Sequence, residues 1–143
     1  MKYTNVLAVT LALSLSFTLL DSAAAETPAS KEKLVIQVSD GDAAKWNLAL
    51  NNAKNAQQDY GADKIEIEIV TYGPGIGMLK SDSAVAKRVD EAKQTGITLV
   101  ACQNTMKAMK LTGSDMLPNS SYVASGVVEI VKKQREGYAY IRP

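Results

Sequence analysis

The chain of 143 residues carries a single cysteine, Cys102, and no histidine. A thiolate is the strongest nucleophile these side chains can offer, so Cys102 is the first place to look for chemistry. It ends the apolar run Ile97–Cys102 (ITLVAC) and stands just ahead of a short helical pattern. Free N–H groups and the positive dipole end of a helix there favour thiolate over thiol. Asn104 and Thr105 are placed to donate hydrogen bonds to an anionic sulfur. The competing reading is a small apolar residue closing the core, because cysteine is among the most buried residue types. Composition narrows the choice of chemistry. Without histidine, Ser-His-Asp and Cys-His catalysis are excluded within the domain, and a structural zinc site is not available from one chain.

Three weaker candidates accompany the thiol. Gly73-Pro74-Gly75-Ile76-Gly77 is neither GxGxxG nor a P-loop. It reads first as a tight turn with close backbone approach, and second as an anion-binding nest beside Cys102. Asp40 and Asp42 precede a helical pattern and read as caps before they read as acids, bases or ligands. Met78, Met106, Met109 and Met116 with Cys102 would suit Cu(I), but their spacing fits core filling equally, and no metal is assigned.

The elements that must position these residues alternate regularly. Leu34–Val38, Lys64–Tyr72, Ile97–Cys102, Tyr122–Val123 and Tyr138–Arg142 read as strands. Helices are expected over Ala43–Tyr60, from Ser83 to about Thr95, from an Asn104 cap to about Leu111, and from Ser125 to a stop at Gly137. In the last of these, Val127, Ile130 and Val131 are expected inward. In the second strand Glu66 and Glu68 alternate with isoleucines, which suggests an exposed strand start or an oligomer contact. The order βαβαβαβαβ predicts a three-layer α/β/α fold with a mostly parallel five-stranded sheet, joined by right-handed crossovers. Ligands of such sheets bind outside the carboxyl ends of the strands. Asp40–Asp42, Gly73–Gly77 and Cys102–Thr105 all leave such ends, and they converge if their strands are neighbours.

The N-terminus reads as an export signal over residues 1–25. Lys2 is followed by the apolar stretch Val6–Leu20 and by Ala23-Ala24-Ala25, with cleavage expected before Glu26. Residues 26–33 read as a linker and 34–143 as one domain. Removing the signal takes away Lys2 and Asp21 and leaves the net charge at +1. The charges are interspersed, so no basic stripe footprints nucleic acid, and no later segment is apolar and long enough to span a membrane. A periplasmic or secreted protein with one unpaired thiol must bury it, pair it between chains, or use it.

Four segments together resemble the DsrE/DsrF-like family, and within it a branch of small exported proteins. They are KLVIQVSDGDAAKWNLALNNAKN (Lys33–Asn55), EIEIVTYGPGIGMLK (Glu66–Lys80), ACQNTM (Ala101–Met106) and YAYIRP (Tyr138–Pro143). The resemblance implies a five-stranded parallel sheet between helices, and homo-oligomers, often trimers or hexamers. It also implies a cysteine after the third strand that carries a persulfide passed between a sulfur donor and an acceptor protein, and Cys102 matches that position. The expectation is therefore an exported sulfur carrier that needs no cofactor. Its pocket would be shaped by Asp40, Gly73, Gly75, Gly77, Asn104 and Thr105. The alternative is a non-catalytic oligomeric binding module with an inert, buried Cys102.

Overall fold

The computed structural model describes residues 30–143. The expected signal segment and the first part of the linker lie outside the described residues. β1 (Glu32–Val38) begins two residues before the expected boundary, so Glu32 and Lys33 belong to the sheet rather than to a linker. It is followed by α1 (Ala43–Tyr60), β2 (Ile65–Thr71), a 3-10 segment (Gly73–Leu79) and α2 (Ala86–Gln94). Then come β3 (Thr98–Cys102), α3 (Gln103–Ala108), β4 (Ser121–Val123), α4 (Gly126–Arg135) and β5 (Ala139–Ile141). The five strands form one parallel sheet in the order β4-β3-β2-β1-β5.

That order decides which face each helix covers. The chain steps outward from β1 to β2, β3 and β4, and right-handed crossovers put α1, α2 and α3 on one face. It then returns across the sheet to set β5 beside β1, and the same handedness sends α4 over the opposite face. The two cores are unequal. Ile36, Val38, Ile67, Ile69, Leu99 and Ala101 pack under α1 and α2 with Trp46, Ala49, Leu50, Ala53 and Val89. Val35, Val70 and Val100 pack on the other face with Ile130 and Tyr138, and the partly buried Tyr72 and Val123 lie against them.

α1 forms where its pattern predicts. Trp46, Ala49, Leu50 and Ala53 make the buried stripe, the Asp42 carboxylate caps the Ala44 N–H at 2.8 Å, and Gly61, at φ +96°, ends it. α4 does not turn as expected. Gly126 and Ile130 are its buried residues, with the half-buried Lys133 one turn on, whereas Val127, Val128 and Val131 are exposed. The reason lies in β2. Glu66 and Glu68 point to the α4 face, and Glu68, far from marking an exposed strand start, is buried and paired with Lys133 at 3.0 Å. The inward row of α4 thus contains a glycine and a lysine, which hydrophobic periodicity does not see.

The Glu68 pair is bound on one side only. Its Oε2 meets the Lys133 ammonium, while Oε1 is buried without a hydrogen-bond partner. Burial pushes the Glu68 carboxyl above its ordinary range, and Lys133 offsets this only in part. Lys133 also lies 4.8 Å from the centre of the Tyr138 ring. The Tyr138 hydroxyl, desolvated and donating to Glu66, is pushed up to about 12.

The glycine segment is a packed turn. Gly73 takes a positive φ of +53°. Gly75 donates its N–H to Ser39 at 3.2 Å and Tyr72 at 3.1 Å, and a Cβ there would collide with the Val38 carbonyl oxygen. Gly77 leaves no room for a Cβ beside the Trp46 ring, whose indole N–H reaches the Asp40 carbonyl at 2.7 Å.

Candidate functional site

The carboxyl ends of the strands align in register. Val38 pairs with Thr71, Thr71 with Ala101, and Cys102 with Val123, so the loops that follow leave one edge of the sheet. Between β3 and β4 the connections diverge: α3 leaves toward the α1/α2 face and α4 toward the other. This is the switch point at which parallel sheets open a crevice for ligands, and Cys102 stands at it.

The helix after β3 starts earlier than expected. Cys102 itself is the N-cap of α3, and Asn104 lies inside the first turn instead of capping it. The Cys102 side chain makes no cap hydrogen bond. Cys102 is 4% exposed, and its burial pushes the thiol up. The N–H of Gly126, the hydroxyl and N–H of Thr105 and the N–H of Asn104 oppose that, and the net direction is down, toward thiolate. The groups that draw the thiol down against its burial are thus neutral donors from the first turns of two helices. The Thr105 hydroxyl is held in place by the glycine turn. Its Oγ1 accepts the Gly73 N–H at 2.9 Å, which leaves its proton free for the sulfur. The Asn104 N–H also reaches the Ala124 carbonyl at 3.2 Å, joining α3 to the turn before α4.

Of the residues predicted from sequence, Cys102, Asn104, Thr105 and Gly73 come together. Gly75, Gly77 and Asp40 are set against the β1–α1 connection, where Asp40 pairs with Arg142 at 3.3 Å. β1 is two strands from β3, roughly 10 Å away at the usual strand spacing. An open groove of about 470 Å³ runs between the glycine turn and α3, lined by Gly73, Pro74, Asn104, Thr105, Ala108 and Met109, none of them charged. A narrower cleft of about 220 Å³ between α1 and α2 holds Arg88 and Glu91 but no thiol. Gly126 was missed by sequence reasoning. Its only signal was a glycine immediately after a Ser125 cap, in a helix whose valines drew attention elsewhere. Among the described residues, no three His, Cys, Asp or Glu side chains converge as a metal site, and no helix is long and apolar enough to cross a membrane.

The chain is a parallel α/β/α domain with its single cysteine at the switch point, between the starts of two helices on opposite faces. The chain belongs to the DsrE/DsrF-like family, whose model matches residues 32–143. Among solved structures it is similar to MTH1491, a protein of unknown function from Methanobacterium thermoautotrophicum. The two share 34% identity at a TM-score of 0.75, over 79% of this chain and 100% of that one. It shares its fold with BT1422, a conserved protein of unknown function from Bacteroides thetaiotaomicron, at 18% identity and a TM-score of 0.64, over 78% and 95% of the two chains. It also shares its fold with the ychN protein of E. coli, at 7% identity and 0.62, over 80% and 99%. No match was found among curated proteins.

Thr105→Val keeps the shape of the side chain but removes the hydroxyl between Gly73 and the sulfur. The pH midpoint for alkylation of Cys102 should rise, and the rate near neutral pH should fall about threefold, since lower thiolate fraction is partly offset by higher intrinsic nucleophilicity. A pH–rate profile of both proteins with a small alkylating reagent checks this; coincident profiles would remove Thr105 from the site.

Proposed function

We propose that Cys102 carries sulfane sulfur as a persulfide and passes it between a donor and an acceptor, as an exported member of its family. The observation that carries this reading is the place of Cys102, N-cap of α3 and paired with Val123 just ahead of α4, where polar groups of both helix starts draw the thiol toward thiolate. The thiolate attacks the outer sulfur of a donor persulfide R–S–SH. The new bond is Sγ–S, the donor S–S bond breaks, and its electron pair leaves on R–S⁻, giving Cys102–S–SH with no net oxidation. Transfer to an acceptor thiolate is the same step reversed. The donors that favour the thiolate serve the persulfide anion as well. Native protein treated with polysulfide should gain sulfur by intact mass, and Cys102→Ser should gain none; equal masses for the two would end the carrier reading.

A second reading draws on the burial of Cys102: a non-catalytic oligomeric module whose thiol is inert. It predicts that the native thiol stays silent toward alkylation until the protein unfolds.

Two further proposals concern where and in what assembly the protein works. Lys2, the apolar stretch to Leu20 and the alanines at 23–25 support export. N-terminal sequencing of the secreted or periplasmic protein should then begin at Glu26, and an intact Met1 there would contradict cleavage. Val127, Val128 and Val131 form an exposed apolar row on α4, with Val128 at 65%, and support a homo-oligomer, a trimer or hexamer, closed through this helix. Light scattering should show an assembly for wild type and a smaller species for Val128→Lys. A monomeric wild type at micromolar concentration would contradict the proposal.

A further inference from the structure

Gly126 occupies the first position of α4, where almost any other residue is the better helix former. It is not among the residues with positive φ, so conformational freedom does not explain a glycine there. Space does. A Cβ at 126 would stand 3.0 Å from Tyr72 Cβ, 3.1 Å from Cδ1 and 3.3 Å from Cγ. Tyr72 links β2 to the glycine turn and packs against the core under α4. On the other side, the Asn104 N–H to Ala124 bond ties the approach of α4 to α3. The first turn of α4 is therefore seated between Tyr72 and α3, just past Val123, the β4 partner of Cys102, and the Gly126 N–H there draws the thiol toward thiolate. Ser125 makes no side-chain cap that would compete for the donors of this turn.

We infer that Tyr72 and Gly126 are a positioning pair: the close contact of the tyrosine with a residue lacking Cβ sets the N-terminus of α4 against Cys102 and thereby sets how readily the thiol ionises. The inference rests on the reading of Cys102 as a working thiolate. A methyl at 126 must displace either the Tyr72 side chain or the first turn of the helix by a few tenths of an ångström. The attraction of an N–H dipole for the sulfur weakens as the N–H moves away from it. The influences on Cys102 are neutral: burial first, then Gly126 from α4 and Thr105 and Asn104 from α3. The position of these dipoles, not a charged neighbour, therefore governs the titration.

The test is the ultraviolet absorbance of the thiolate followed against pH in the full chain, with Cys102→Ser as the blank, because the reading does not depend on access of a reagent to a buried thiol. Gly126→Ala should move the midpoint up by about half to one unit, a roughly three- to tenfold loss of thiolate near neutral pH. The pair Tyr72→Ala/Gly126→Ala, in which the added methyl fills space the ring has left, should return the midpoint toward wild type. An unchanged midpoint in Gly126→Ala, or a raised one that trimming Tyr72 does not restore, overturns the inference. Should Gly126→Ala fail to fold, the double variant is compared directly with wild type: equal midpoints support the pair and a raised midpoint overturns it. A wild-type midpoint at or above the free-thiol value of about 8.5 would instead contradict the thiolate reading itself, while the difference between variants still judges the pair.

Discussion

The reversal of the chain after β4 is the constraint from which the site follows. Four strands are laid down in one direction, and β5 returns to the far edge beside β1. A right-handed crossover can make that return only over the face that α1, α2 and α3 leave open. α4 must therefore start at the carboxyl end of β4, next to the carboxyl end of β3, and run back across the sheet. Cys102 is the last residue of β3 and pairs with Val123 of β4, so the thiol lies where one helix departs forward and another backward. The donors around the sulfur are a consequence of topology before they are a consequence of any side chain.

Two anchors then fix α4 in rotation. Near one end Lys133 is drawn to Glu68, and at the other Gly126 lies against Tyr72. Gly126 and Lys133 are seven residues apart, about 10 Å along a helix. Glu68 pairs with Thr98, four residues before Cys102 in β3, about 13 Å along the strand. The two spans match closely enough for one helix to satisfy both contacts. A buried ion pair contributes little net stability, since desolvation offsets attraction, but leaving one partner unpaired is costly. The pair therefore acts mainly by forbidding other rotations of α4. Its side effect is the outward row of Val127, Val128 and Val131.

The alternation of elements and the full extent of α1 were legible in the sequence, because each rests on local periodicity; that the first three strands are neighbours was left open by it and comes from the fold. Cys102 and Thr105 were legible for the same reason, as a strand end and a helix start. The orientation of α4 was not. Its inward row runs Gly126, Ile130, Lys133, and only the middle residue is apolar. The valines made a more hydrophobic stripe that the fold leaves outside. Glu68 was misread in the same way: its partner is 65 residues on, and the alternation of β2 suggested solvent where the structure has a lysine. The glycine turn divided between its two readings by packing. The N–H groups of Gly73 and Gly75 are already given to Thr105, Ser39 and Tyr72, so the turn supports the site through Thr105 and presents neither N–H to a ligand.

The central claim is that the native fold holds Cys102 as a thiolate able to take up sulfur. The most direct measurement is the rate at which the native protein accepts sulfur from a small alkyl persulfide as a function of pH. The account predicts loading confined to Cys102, with an apparent midpoint below the free-thiol value of about 8.5. Loading that begins only when the protein unfolds, or that follows the pH profile of a free thiol, would contradict it.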